Sequence, residues 1–129
     1  MHRETGIETR ATERREQRVN RAKAIFRLRM KLAVRVRTPT GRNNHRPSEL
    51  WRARRQGTKL PVNPKHKDYP SLLAEALDVI VARKYDVAGA AGLLGVTMSQ
   101  LTRLLRQEAH VLARVNEGRE SVGLPRLRS

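Results

Sequence analysis

Arg15, Gln17, Arg18, Asn20, Arg21, Lys23 and Arg27 fall within thirteen residues that contain neither Gly nor Pro. A guanidinium offers a planar fork of donors that matches two phosphate oxygens at once, an ammonium adds a point charge, and the two carboxamides donate and accept within the same reach. The chemistry of such a set is polyanion binding. Catalytic alternatives do not assemble. His2, His45, His66 and His110 have no spacing that sets two imidazoles on one helix face beside an acid, so no metal site is expected. Glu75 and Asp78 are expected on the exposed side of a core helix, without a convergent partner for acid-base work. Gly89, Gly92 and Gly95 are not followed by the Lys-Ser or Lys-Thr of a phosphate loop and lie in a helical pattern. The chain has no cysteine, which removes thiol nucleophiles, thiolate metal sites and disulfides together. No catalytic residue and no cofactor is expected.

The elements that must position these groups follow from periodicity. Glu13 to Arg37 lacks helix breakers, and Val19, Ala22, Phe26, Met30 and Ala33 recur at three- and four-residue steps, with Ile25, Leu28 and Leu32 on an adjoining face. A helix is expected there, its exposed face a cationic rail. His2 to Thr12 is polar, with a short strand expected around Ile7. Pro39, Gly41, Pro47, Gly57, Pro61 and Pro64 then recur too often for a long element, so 38–67 reads as a basic connection. A short helix fits within it from Ser48, an N-cap, to Arg55, with Leu50 and Trp51 as its anchor. Trp51 reads as a packing residue rather than a base-stacking platform.

The last third changes character. Asp68 is placed to cap a helix carrying Pro70 in its first turn and running to Lys84, with Leu72, Leu73, Ala76, Leu77, Val79, Ile80 and Val81 as its apolar stripe. Val87 to Arg106 has the spacing of a helix-turn-helix. Ala91 is the small residue at the crossing, Gly95 the turn, and Leu101 and Leu104 face back to the core. The second helix of that hairpin would expose Ser99, Gln100, Arg103 and Arg106, the basis of an alternative reading as a DNA-binding regulator. A final helix is expected over Glu108 to Glu117, and Gly118 onward fades into a basic tail. The fold class is mainly α, in three parts: 1–37, a basic linker over 38–67, and a small module of three to four helices over 68–129.

Charge separates these parts. The formal net charge is +16, and residues 1–67 hold 20 of the 28 Lys and Arg against five acids, a net of +15, whereas residues 68–129 carry +1. Such a field favours nucleic acid through counterion release, and the near-neutral hairpin offers weak phosphate attraction. Solvation of a long helix is the other meaning of a charge run. No apolar run reaches the length of a membrane span, no secretory signal opens the chain, and a cytoplasmic location is expected.

His2, Thr5-Gly6-Ile7 and the run Arg15, Gln17, Asn20, Arg21 and Ala24 resemble the class I peptide chain release factor domain at unbroken spacing. In that family a strand around Thr-Gly-Ile is followed by a helix opening with Arg-Ser-Gln-x-x-Asn-Lys. Glu16 replaces the family's usual Ser and Arg21 its frequent Lys. Leu50 to Arg52, Val62 to Pro64 and Leu72 to Asp78 are similar to stretches of bacterial, codon-independent members that append a helical module. The resemblance implies a partial release-factor strand-helix unit over 1–37 that contacts large-subunit ribosomal RNA through Arg15, Gln17, Arg18, Asn20, Arg21, Lys23 and Arg27. Peptidyl-tRNA is a further candidate partner. It also implies that the Gly-Gly-Gln loop of the family precedes this region; no Gly-Gly pair occurs here. The chain accordingly reads as the back of a domain whose front is missing, with Met1 as a candidate false start.

Overall fold

A computed structural model describes residues 3–128, with side chains from Glu13 onward. Its elements are α1 (Arg3–Arg35), α2 (Glu49–Arg54), α3 (Tyr69–Ala82), α4 (Val87–Leu94), α5 (Met98–Arg106) and α6 (Ala109–Ser121). The mainly helical class holds. The strand expected around Ile7 does not form: Arg3 to Thr12 is the first part of α1, and the described residues contain no strand. With no second strand to supply ladder partners, the backbone donors and acceptors of Thr5 to Ile7 find partners only along their own helix. His2 lies outside the described residues.

The core centres on α3, whose Leu72, Leu73, Ala76, Val79 and Ile80 are fully buried. Three helices of the C-terminal module close around it: α4 through Val87, Ala90 and Leu94, α5 through Leu101, Leu104 and Leu105, α6 through Val111, Leu112 and Val115. The hairpin α4–α5 has the helix-turn-helix build read from its spacing. Gly95 ends α4 in the left-handed region at φ 74°, where a side chain would be strained, and Thr97 caps α5 by accepting the Gln100 N–H at 3.1 Å.

The segment 38–67 joins this core. Ser48 caps α2 by accepting from the Trp51 amide at 3.1 Å, and Trp51 is fully buried beside Leu60. Glu75 and Asp78 are therefore not on an exposed face, as their position off the apolar stripe suggested. Their side chains are 12% and 14% exposed, covered by residues 37–48. Glu75 accepts from His45 Nε2 and from the Ser48 amide, both at 2.9 Å, and from the Ser48 hydroxyl. His45 Nδ1 in turn meets the Thr40 hydroxyl at 2.8 Å. The carboxylate sits between serine and histidine, so the trio clamps a loop to α3 and is not a nucleophile-base relay. Asp68 stands at the N-cap of α3 without capping it, because its carboxylate is taken by Arg54 at 2.7 Å. That ion pair and its hydrogen bonds hold the Asp68 carboxyl below its usual range.

Two aromatic side chains complete the hairpin. The last carbonyls of a helix have no intrahelical donor. Trp51 Nε1 donates to the Leu94 carbonyl at the end of α4, and Tyr69 Oη donates to the Leu104 carbonyl near the end of α5, each at 2.8 Å and each buried. Burial, with Glu108 nearby, pushes the Tyr69 hydroxyl upward, so it stays a donor.

The C-terminus does not fade at Gly118. Helix α6 continues to Ser121, the chain turns at Gly123 (φ 80°), and Leu127 returns to exchange two backbone hydrogen bonds with the buried Asn116 side chain, at 2.6 and 3.1 Å. Arg119 is only 6% exposed and donates to the Tyr85 carbonyl at 2.7 Å and to the Pro125 carbonyl at 2.8 Å. It thereby holds the left-handed corner Lys84-Tyr85 (φ 52° and 67°) that links α3 to α4. Gly118 has no side chain because the Tyr85 ring occupies that space: a Cβ there would overlap the ring.

Two substitutions test this packing. Tyr69→Phe keeps shape and removes one buried donor, and should cost about 1–2 kcal/mol in urea unfolding. Gly118→Ala should destabilise the protein although helix propensity alone favours Ala by about 1 kcal/mol, and should become stabilising once Tyr85→Ala empties the space. A stabilising Gly118→Ala in the parent would refute the close approach.

Candidate nucleic-acid interface

Helix α1 has two regimes. Its C-terminal part lies on α3 through Met30, Ala33 and Val34, and Arg29 donates to the Ser71 hydroxyl at 3.1 Å. Arg37, just past its end, pairs with Asp78 at 3.1 Å and donates to the carbonyls of Ala33 and Ala74. Thr38 N–H donates to the same Asp78 carboxylate at 3.0 Å. Burial raises the Asp78 carboxyl's affinity for its proton, and the Thr38 amide and Arg37 oppose that shift. This knot fixes the base of the helix.

Every residue from Glu13 to Ile25 is exposed. The apolar pattern Val19, Ala22, Phe26, Met30 and Ala33 is thus used only from Phe26 onward; Val19 is 47% exposed. At about 1.5 Å per residue, the stretch from Arg3 to Ala24 extends α1 some 30 Å past its seat on α3. Within the arm, Arg14, Arg15, Arg18, Arg21 and Lys23 occupy about 200° of the circumference, wider than a single face, and Glu13 and Glu16 stand on the rest. At 100° per residue, Arg15, Lys23, Arg27, Asn20, Gln17, Arg21 and Arg18 succeed one another around its whole circumference, so the structure places all seven predicted contact residues on one element but not on one face. No ion pair among the described residues involves a cation from Arg14 to Arg35. Lys23, Arg27, Lys31 and Arg35 stand at successive i,i+4 positions, each pair of like charges costing about 0.2–0.5 kcal/mol.

The second predicted set is more constrained. Ser99, Arg103 and Arg106 are exposed on α5, but Gln100 is half-buried and its carboxamide oxygen meets the Leu60 amide at 3.4 Å. The tight turn 56–59 leans on the start of the same helix, where the Thr97 amide donates to the Thr58 carbonyl at 3.2 Å. Arg55 covers the hairpin turn, donating to the Gly57 carbonyl at 2.7 Å and reaching the Gly95 carbonyl at 3.4 Å. The end of α5 that would enter a DNA groove is therefore flanked by the chain's own segment 55–60. Sequence reasoning also missed Arg114 and the space between α1 and α6. Arg114 carried no local signal, because it is a single cation in a nearly neutral module.

Comparison with protein-family models, curated proteins and solved structures returns no match for this chain.

Lys23→Glu separates charge from fold. It turns the repulsive Lys23–Arg27 pair into an attractive one with the acid on the N-terminal side, a gain of about 0.4–1 kcal/mol in helix stability. The variant should be more helical by far-UV circular dichroism at low salt and should bind RNA more weakly. A loss of helix signal would show that the arm's cations do not repel one another.

Proposed function

We propose that this chain is a release-factor-like translation protein that binds large-subunit ribosomal RNA through α1 and adds no hydrolytic centre of its own. The observation that carries the reading is the exposed arm of α1, with Arg14, Arg15, Arg18, Arg21 and Lys23 spread over more than half of its circumference, Glu13 and Glu16 on the remainder, and one end anchored to a folded module. A helix that is polar all round gains nothing from burial, and its like charges oppose its formation. Phosphates along the cationic arc would offset that repulsion, and an arc this wide can meet more than one RNA backbone. Arg15, Gln17, Arg18, Asn20, Arg21, Lys23 and Arg27 are the residues assigned to that contact. Release of counterions supplies the driving force and makes binding strongly salt-dependent.

Support for the release-factor part comes from the spacing of Thr5, Gly6, Ile7, Arg15, Gln17, Asn20, Arg21 and Ala24, with peptidyl-tRNA as the accompanying substrate class in that family. The helical state of Thr5 to Ile7 departs from the family's strand and narrows the likeness to the helix itself. The DNA reading through Ser99, Gln100, Arg103 and Arg106 gains the hairpin geometry. It loses ground where segment 55–60 flanks α5.

Replacing Arg15, Arg21, Lys23 and Arg27 by Glu should abolish co-sedimentation with ribosomes at moderate salt. It should also lower the slope of log affinity against log salt for a ribosomal RNA fragment by about one for each phosphate that is no longer neutralised. The four side chains touch none of the buried core, so the thermal unfolding of the module should remain. Unchanged sedimentation of the quadruple variant would sink the reading.

A further inference from the structure

Between α1 and α6 lies a groove that shares only Arg27 with the proposed RNA contact. Two adjoining cavities of about 520 and 750 Å³ form it and share Val34, Arg35, Arg114 and Glu117 as common walls. The inner cavity has Leu77, Val81, Tyr85, Val111 and Val115 on its lining, and the outer one Phe26 and Met30. The groove runs beside α1 from Phe26 to Arg35, nine steps or about 13.5 Å, two and a half turns of a helix, and reaches Arg37 just past its end. Val81 is 39% exposed at its floor although it belongs to the apolar stripe of the central helix, and Arg114 is exposed at its edge.

Charge along the walls is one-sided. Arg27, Lys31 and Arg35 form an i,i+4 ladder on the α1 side, joined by Arg37 and Arg114, against only Glu108 and Glu117. Arg37 Nε is buried without a hydrogen-bond partner, and Arg114 lies close enough to lower the Arg37 guanidinium's affinity for its proton, after burial and against Asp78 and Tyr85. Asp78 balances Arg37, whereas Arg27, Lys31, Arg35 and Arg114 make no ion pair among the described residues.

We infer that this groove is a docking site for an acidic amphipathic helix of a partner protein, apolar residues at i, i+3 or i+4 and i+7 seated on Phe26, Met30, Val34 and Val81, and carboxylates facing Arg27, Lys31, Arg35 and Arg114. The groove's length accepts the two turns that an i to i+7 stripe spans, its floor accepts an apolar stripe, and its rim selects the sign of the flanking charge. A second copy of this chain is a poor occupant because both copies carry +16. Ribosomal RNA satisfies the rim but leaves the floor uncovered. Apart from Arg27, the groove is separate from the RNA-contact residues, and its occupant does not depend on that reading.

The test is a selection of a random peptide library, about fifteen residues long so that four turns can form, against the full chain. Enriched peptides should carry Leu, Ile, Phe or Met at three- and four-residue spacing with Asp or Glu beside them, and synthetic copies should be helical when bound. Val81→Glu and Arg114→Glu, both at exposed positions, should each weaken those copies about tenfold, while the quadruple Glu variant at 15, 21, 23 and 27 should lose at most the modest share that Arg27 supplies. Three results would overturn the proposal: no enriched peptide, acidic peptides without apolar periodicity, or peptides bound equally by the parent and by both Val81→Glu and Arg114→Glu. Retained peptide binding alongside abolished ribosome binding, or the reverse, tells which of the two readings has failed.

Discussion

The hairpin α4–α5 ends in carbonyls that a short, Gly-rich helix pair cannot satisfy alone, and the fold depends on who supplies the missing donors. An unpaired buried carbonyl costs about 1–3 kcal/mol, a large fraction of the stability of a small domain. Trp51 and Tyr69 bring an indole N–H and a phenol O–H to Leu94 and Leu104. One donor comes from the middle of the Pro- and Gly-rich segment and the other from just past its end, which is why that segment lies on the module. Ser48 must cap α2 for Trp51 to be presented, and Glu75 must hold Ser48 and His45 for α2 to start where it does. One requirement of backbone chemistry thus spreads through a chain of side chains into the placement of the whole segment 38–67.

The same logic fixes the arm. Once 38–48 is clamped to α3 by Glu75 and Asp78, the end of α1 has one place to go, and Met30, Ala33 and Val34 close over α3. Among the described side chains, nothing comparable exists upstream of Phe26. No apolar residue between Glu13 and Ala24 is buried, and neighbouring cations repel. The boundary between held and projecting helix is therefore set by where apolar side chains stop meeting α3, and it falls inside a helix that is continuous in sequence pattern. Periodicity alone could not mark it, because Val19 and Ala22 continue the spacing without a surface to cover.

That contrast explains what was legible in the chain. The core of α3, the Gly95 turn, the Ser48 cap and the burial of Trp51 follow from local spacing and residue type, and they stand where those rules put them. The misplaced features share one cause, which is that partners distant in sequence decide them. Glu75 and Asp78 look exposed because their helix says so, until residues 37–48 fold over them. Asp68 looks like a cap until Arg54 takes its carboxylate. Gly118 looks like a helix terminator, but it is the one residue small enough to lie under the Tyr85 ring. Arg119 looks like a tail cation, although the left-handed Tyr85 carbonyl and Pro125 give it buried acceptors. The expected strand at Ile7 belongs to the same class, since a strand exists only where another chain segment pairs with it.

Burial and charge are allotted to different halves of the molecule. The half that carries a net +15 contributes few buried apolar side chains, among them Ala33, Trp51 and Leu60, whereas the nearly neutral half supplies almost the whole core. Self-repulsion among cations in the projecting part of α1, before Phe26, consequently falls on turns whose unwinding exposes no core, and the module can stay folded while the arm is charged, screened or neutralised. A binding element built in this way responds to an anionic surface without its stability and its affinity being set by the same residues. The groove beside α6 is where the two halves meet, because there the cations of α1 face an apolar floor that the module supplies.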